Sequence, residues 1–186
     1  MLDSVFGTLE NLRVAVRGSA QVFDPGAEVD GDAPDLIAPP WQVVGRVALE
    51  LAQFPLDAVR PFVPVDLDIL QTWPGGTLGL VAFISYESTP VGSYNEIVVA
   101  PALIRYREAF SLWVAAIDVD SETSRRNGRF QFGLPKQLRA LQYQWLAEGG
   151  GRFAVDDPAD NEALLRASYT DTPLSDLELP EWLAGV

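Results

Sequence analysis

Alternation between apolar and polar residues is the main pattern of this chain, and it predicts β-strands. The pattern is clearest over residues 140–146, where Leu141, Tyr143 and Trp145 share one face and Gln142 and Gln144 share the other. Runs that alternate, or that are rich in β-branched and aromatic residues, predict further strands over residues 12–16, 41–51, 77–86, 97–104, 112–119 and 130–132. The pattern is typical of a protein built mainly from sheet.

The signals for helices and turns are short. Pro55 opens a predicted helix over residues 55–59, and two further helices are expected within residues 1–23 and over residues 161–167. Glycine-containing turns are predicted at residues 73–76, 127–128 and 149–151. Short strands separated by such turns indicate an α+β, β-rich fold, with one antiparallel barrel or strongly curved sheet and a few short helices outside it.

We expect the chain to form one domain over residues 1–186, because it shows neither an internal repeat nor a second compositional unit. Two segments interrupt the pattern of strands. Residues 24–40 are rich in proline and carboxylates and predict an extended acidic connector. Residues 170–186 contain two prolines and predict a C-terminal arm over the surface, with Trp182 as an anchor.

The chain contains neither cysteine nor histidine. The absence of cysteine excludes disulfides, thiolate catalysis and zinc–thiolate sites. The absence of histidine excludes an imidazole base and a Ser-His-Asp triad. Acid–base chemistry must therefore come from carboxylates, lysine, tyrosine or groups assisted by arginine.

The formal charge of −13 disfavours nucleic acid and anionic lipid as partners, because such a surface repels phosphate. No apolar run approaches the roughly 18–20 residues of a membrane-spanning helix, and residues 1–17 lack the pattern of a secretory signal. We therefore expect a cytoplasmic protein without a membrane span. Strand edges and the apolar run 112–117 predict a homo-oligomer.

Twelve of the thirteen basic residues are arginine, and Lys136 is the only lysine. Arginine cannot deprotonate, whereas a desolvated lysine can act as an amine nucleophile. A base composition that favours arginine codons explains the bias equally well, and an isolated lysine in a turn is usually exposed. Lys136 is nevertheless the strongest candidate for covalent chemistry in this sequence.

A second candidate is Glu96, at the end of the polar segment 86–96 and directly before the apolar run 97–100. A carboxylate at such a border is expected to be partly desolvated, which favours a role in a site. The alternative interpretation is a polar loop whose acidic side chains lie in solvent.

Five segments in order resemble acetoacetate decarboxylase and its superfamily: 39–41 (Pro-Pro-Trp), 57–64 (Asp-Ala-Val-Arg-Pro-Phe-Val-Pro), 77–79 (Thr-Leu-Gly), 93–96 (Ser-Tyr-Asn-Glu) and 133–136 (Gly-Leu-Pro-Lys). The resemblance implies a cone-like β-barrel in which Lys136 forms a Schiff base with a keto acid, without a cofactor or metal. It also implies that Glu96 is the pocket carboxylate. Tyr94 and Arg46 would bind substrate, with Arg46 one position from the family's pocket arginine and holding a carboxylate.

The chain departs from the decarboxylase pattern at two positions, since Gln137 replaces a second lysine and Val81 replaces a second pocket carboxylate. Its motifs are also similar to the branch of the superfamily that includes the plant neoxanthin-deficient proteins. Three hypotheses remain open. The chain is a lysine-dependent lyase acting on a carbonyl compound, a protein that binds a hydrophobic or isoprenoid ligand, or an interaction domain without a small-molecule site.

Overall fold

A computed structural model of the chain describes residues 36–147, 150–156 and 163–169. The helix and strand predicted within residues 1–23, the connector up to residue 35 and the predicted arm 170–186 lie outside the described residues. The described end of the connector, residues 36–40, contains neither helix nor strand.

The described elements are eleven strands and two α-helices, with a 3₁₀ turn at Arg60–Phe62. The helices are α1 (Leu56–Val59) and α2 (Glu122–Phe132). The strands are β1 (Val44–Pro55), β2 (Asp68–Ile69), β3 (Gly76–Ser88), β4 (Tyr94–Ala100), β5 (Ala102–Tyr106), β6 (Ala109–Trp113), β7 (Ala116–Val119), β8 (Lys136–Leu138), β9 (Ala140–Trp145), β10 (Gly151–Asp156) and β11 (Ala163–Tyr169).

The strands form a central five-stranded sheet in the order β1-β3-β4-β7-β8 and two three-stranded sheets, β11-β10-β9 and β2-β5-β6. Only the pair β7–β8 is parallel among these ladders, because α2 supplies the crossover that a parallel pair requires. The prediction of a β-rich fold with few helices is confirmed. None of the three described sheets closes on itself, so the single barrel is not confirmed.

The two faces of the central sheet bury different clusters, because successive side chains of a strand point to opposite faces. On one face, Phe83 of β3 and Ile97 of β4 pack against the sheet β11-β10-β9, where Phe153 stacks on Phe83 with ring centroids 4.4 Å apart. On the other face, α2 lies over β7 and β8. We call this second face the helix-covered face.

The sequence predicted a strand at residues 130–132 and a turn at residues 127–128, and both predictions are wrong because α2 occupies them. The Ser121 side chain caps the helix by accepting a hydrogen bond from the Ser124 backbone N–H at 3.2 Å. Gly133, with a φ of 64°, ends it in the left-handed conformation that glycine adopts without strain.

The helix predicted over residues 161–167 is also wrong, because residues 163–169 form β11 and pair with β10. Burial of Leu165 opposite Val155 in that ladder overrides the local helical pattern. The strand predicted over 97–104 divides at Pro101, which has no N–H to donate to a ladder. The strand predicted over 112–119 divides into β6 and β7, whereas the helix predicted after Pro55 is confirmed as α1.

Candidate functional site

Lys136 is buried, with 3% of its surface exposed, although it lies at the first position of an edge strand. The crossover β7–α2–β8 places it there: α2 ends at Gly133, and β8 then pairs in parallel with β7, with Lys136 beside Ile117. Arg129 of α2 donates a hydrogen bond from Nε to the backbone oxygen of Lys136 at 2.6 Å. The backbone of the lysine is therefore fixed from both the sheet and the helix.

Three polar side chains surround the amine of Lys136. Nζ lies 2.6 Å from Oε2 of Glu96, in an ion pair whose side chains are 4% and 7% exposed. Nζ also donates hydrogen bonds to Oγ of Ser124 at 3.0 Å and to the hydroxyl of Tyr94 at 3.4 Å. The structure therefore brings together three of the four side chains that the sequence singled out, Lys136, Glu96 and Tyr94.

Glu96 and Tyr94 face the same side because they are two residues apart on β4. They reach Lys136 across β7, which lies between β4 and β8, so the two residues are on strands of one sheet but not on adjacent strands. The pairing of Asn95 with Asp120 fixes this end of β4, since Asn95 donates hydrogen bonds to that carboxylate from its backbone N–H and its side-chain amide, each at 2.7 Å.

Tyr86 of β3 extends the site, because it pairs with Tyr94 across the sheet and their ring centroids are 4.6 Å apart. Both phenols lie close enough to the Glu96 carboxylate for its charge to act on them. Burial, reinforced by the Glu96 charge, raises the pKa of Tyr86 and the pKa of Tyr94 far above their ordinary value. Both phenols therefore remain neutral hydrogen-bond donors near pH 7.

Gly128 of α2 leaves the space through which the Lys136 side chain passes. A Cβ atom built at Gly128 would lie 2.5 Å from Cδ and 2.7 Å from Cε of Lys136. Ser124 and Gly128 are one helical turn apart, so they share the face of α2 that meets the sheet. The helix thus offers a hydroxyl to the amine and an open position to the methylene groups behind it.

Apolar side chains and one short segment close the site. Ile117, Val119 and Val91 are buried beside Tyr94 on the helix-covered face. Residues 36–41, which we call the strap, lie across this cluster. Its attachment is Asn127, which is 1% exposed and accepts a hydrogen bond from the backbone N–H of Ile37 at 2.9 Å.

Arg46, the fourth predicted site residue, is not in the site. It pairs with Ser85 in the β1–β3 ladder, and Ser85 pairs in turn with Asn95, so Arg46 is on the face opposite to Glu96. Its side chain is 61% exposed, and its Nε donates a hydrogen bond to Oε1 of Glu87 at 3.0 Å. A displacement of one residue along a strand moves a side chain to the other face.

Large aromatic side chains that could line a site for a hydrophobic ligand divide between the two faces of the central sheet. Trp41 packs in the cluster beside Tyr94, whereas Phe83 and Trp113 belong to the cluster on the opposite face. Within residues 36–147, 150–156 and 163–169, no group of three or more His, Cys, Asp or Glu side chains is arranged to hold a metal ion. No helix in the same ranges is both long enough and apolar enough to cross a bilayer.

Sequence reasoning missed four residues of the site: Tyr86, Ser124, Asn127 and Gly128. Three of them lie in α2, and their spacing at i, i+3 and i+4 is the signal of one helix face that the strand interpretation of this segment hid. These residues complete the site around Lys136, Glu96 and Tyr94. The site can bind a carbonyl oxygen through neutral hydroxyl donors, attack the carbonyl carbon with the lysine amine and exchange protons with the Glu96 carboxylate.

Comparisons with known proteins identify the fold. The chain is similar to acetoacetate decarboxylase from Legionella pneumophila, with 17% identity and a TM-score of 0.53 over 69% of this chain and 51% of that one. It is similar to the enduracididine biosynthesis enzyme MppR complexed with pyruvate, with 19% identity and a TM-score of 0.57 over 78% of this chain and 62% of that one. The predicted resemblance to the acetoacetate decarboxylase-like superfamily is confirmed at the level of the fold.

In sequence, the chain is 31% identical over 100 residues to Protein NEOXANTHIN-DEFICIENT 1 of Oryza sativa subsp. japonica. The match covers 54% of this chain and 33% of the relative, so the chain spans about a third of the length of the curated relatives it matches. No family model matches the chain.

Proposed function

We propose that this chain, which has the acetoacetate decarboxylase-like fold, is an enzyme that uses Lys136 to form a Schiff base with a carbonyl compound. The observation that supports the proposal most directly is the contact of 2.6 Å between Nζ of Lys136 and Oε2 of Glu96 inside a buried site. A lysine and a carboxylate in contact, away from water, can supply a nucleophile and a proton acceptor for imine chemistry.

The roles of the side chains follow from their positions. Attack on a carbonyl carbon requires the neutral amine, and Glu96 is the group in contact with Nζ that can accept the proton. The hydroxyl of Tyr94 and the hydroxyl of Ser124, both within 3.4 Å of Nζ, are placed to donate hydrogen bonds to the carbonyl oxygen. The carbonyl oxygen then leaves as water, and the protonated imine accepts electrons from a bond that breaks at the neighbouring carbon.

Borohydride trapping tests this proposal. Incubation with carbonyl compounds and borohydride should convert the imine at Lys136 to a stable secondary amine, which intact mass and peptide mapping detect. Lys136 is the only side-chain amine, so the α-amino group of the chain is the only competing amine. Lys136→Gln should lose the internal adduct, while Arg46→Gln should retain it because Arg46 is outside the site. The proposal would be refuted if no compound in a panel of aldehydes, ketones and keto acids is trapped at Lys136.

A second candidate function is the binding of a hydrophobic ligand without a reaction. Similarity to the NEOXANTHIN-DEFICIENT 1 proteins supports it, as does a row of exposed apolar side chains on β1. Val47, Leu49 and Leu51 are 52%, 40% and 47% exposed, and they lie on the same face of the central sheet as Glu96. If this is the function, Lys136→Gln should bind apolar ligands as well as the unchanged protein does, and trapping should fail.

The same apolar row supports an assembly, because β1 is an edge strand of its sheet and edge strands with exposed apolar side chains tend to pair. We propose that the chain is a homo-oligomer. Each subunit is a single domain, residues 1–186, in which the three sheets contribute to one barrel-like structure, and the protein is located in the cytoplasm. Light scattering that gives the monomer mass of 20.3 kDa at high protein concentration would contradict the oligomer.

A further inference from the structure

The charges at the candidate site balance without a substrate. Lys136 supplies one cation and Glu96 one anion, and both are buried. The hydroxyls of Tyr94 and Ser124, which contact Nζ, and of Tyr86, which lies beside Tyr94, are neutral. The buried cluster around Tyr94 is apolar. A Schiff base of Lys136 with an uncharged compound keeps this balance, because the protonated imine replaces the ammonium.

A substrate carboxylate would disturb this balance of charge. Near the imine it would add a second negative charge beside Glu96, inside a site that excludes water. A buried charge without a partner is strongly unfavourable, and two carboxylates in contact repel each other. Binding of a keto acid therefore requires a second cation, which the resemblance assigned to Arg46 and the structure places on the opposite face.

Within the described ranges, four other arginines make contacts away from the amine of Lys136. Arg129 approaches the site, but its Nε donates to the backbone oxygen of Lys136. That oxygen points along the hydrogen bonds of the sheet, away from the side-chain amine. Arg139 pairs with Asp118, at 3.7 Å, on the face opposite to Glu96. Arg60 binds backbone oxygens of residues 63–67, and Arg105 pairs with Asp68. None of these contacts offers a guanidinium to a ligand at Lys136.

We infer that the carbonyl compound bound at Lys136 is an uncharged aldehyde or ketone, without a carboxylate next to the reacting carbonyl. The inference rests on the proposed function and narrows its substrate class from carbonyl compounds in general to uncharged ones. Nζ forms a bond to the carbonyl carbon, the carbonyl oxygen leaves as water, and the imine forms without any oxidant or reductant. Glu96 then removes a proton from the carbon next to the imine, and the electron pair of that C–H bond forms a neutral enamine.

Matched pairs of probes test the substrate class on the full-length protein. Pyruvate and methyl pyruvate, and 4-oxopentanoate and its methyl ester, differ in the carboxylate and little in size. Each compound is trapped with borohydride, and the adduct at Lys136 is quantified by peptide mapping. The same reactions with Nα-acetyl-lysine in solution correct for the different intrinsic reactivity of acid and ester. After this correction we expect the esters to be trapped at least tenfold faster than the acids.

The outcomes separate the two proposals. Trapping of the acids at a rate equal to or above that of the esters overturns the substrate class and leaves the Schiff base intact. Trapping of neither overturns the proposed function itself. A preference for the esters supports both.

Two variants test the electrostatic reason. Glu96→Gln removes the repelling charge, so the corrected ratio of ester to acid should fall toward one, and an unchanged ratio would overturn the reasoning. Arg46→Gln should leave the ratio unchanged. If it selectively reduces trapping of the acids, Arg46 does bind the substrate carboxylate and the inference fails. Because Arg46 is exposed, this second variant remains informative even if Glu96→Gln does not fold.

Discussion

Gly128→Ala should displace the side chain of Lys136 while changing the stability of the fold only a little. The new Cβ would lie 2.5 Å from Cδ and 2.7 Å from Cε of the lysine. Since carbon atoms in contact are normally about 3.5–4.0 Å apart, the lysine methylenes must move by about 1 Å or more. The amine at their end would then leave its present contacts with Glu96, at 2.6 Å, and Ser124, at 3.0 Å.

The two effects on stability oppose each other. Insertion of one carbon into a packed site costs about 1–3 kcal/mol, although here the atoms that must move belong to a flexible side chain. Replacement of glycine by alanine inside a helix gains about 1 kcal/mol. We therefore expect a net loss of about 0–2 kcal/mol in the free energy of unfolding. A displacement of about 1 Å in a reacting group lowers rates by about 100-fold, so trapping at Lys136 should fall far more than stability.

The assay is the rate of borohydride trapping at Lys136, measured beside the unfolding midpoint in urea. Thr123→Ala is the matched control, because Thr123 is an exposed position of the same helix whereas Lys136 is buried. The control should trap at the unchanged rate. If Gly128→Ala also traps at the unchanged rate while remaining folded, the path of the lysine over Gly128 is not what positions the amine, and the reasoning is refuted.

Three further predictions follow from the same contacts. Lys136→Met should lower the free energy of unfolding by about 3–5 kcal/mol because it leaves a buried carboxylate unpaired, and the double variant with Glu96→Gln should recover most of that loss in urea titrations. Asn127→Ala should loosen the strap and raise the rate at which a small amine-reactive reagent modifies Lys136; an unchanged rate would contradict the role of the strap as a barrier. Because the pKa values of Tyr86 and Tyr94 are raised in the folded protein, their phenols stay protonated there and ionise in the unfolded chain above pH 10. Their contribution to stability should therefore be constant below that pH and fall above it, so the free energy of unfolding should decrease from pH 10 to 11. Stability that rises from pH 10 to 11 would contradict the burial of these phenols.

Sequence reasoning predicted the elements whose pattern is local. The alternation of Leu141, Tyr143 and Trp145 predicted one buried face of β9, and the structure gives those three residues partial burial while their neighbours are exposed. Proximity of Lys136 and Glu96, which are far apart in sequence, came only from the resemblance to a family. The order of short motifs carries that information because it reflects a fold that the motifs share.

What the sequence could not predict depends on register and on tertiary contacts. The helix α2 contains Phe130, Gln131 and Phe132, whose alternation is equally consistent with a strand, and only the crossover between parallel strands selects the helix. Arg46 was placed in the site by a match that was one residue out of step. In a strand that difference decides between two faces, so the position of Arg46 bears on the proposed substrate class and not only on a distance.

The site concentrates features that reduce stability at one place, and this is the strongest physical reason to assign it a function. A buried Lys–Glu pair is often no more stabilising than apolar residues of the same volume. Gly128, inside a helix, costs about 1 kcal/mol relative to alanine. The two features depend on each other, because the lysine reaches Glu96 only over a position without a side chain. A core selected for packing alone would fill that position and remove both charges. Their joint presence favours a benefit other than stability, which the proposed Schiff-base chemistry would supply.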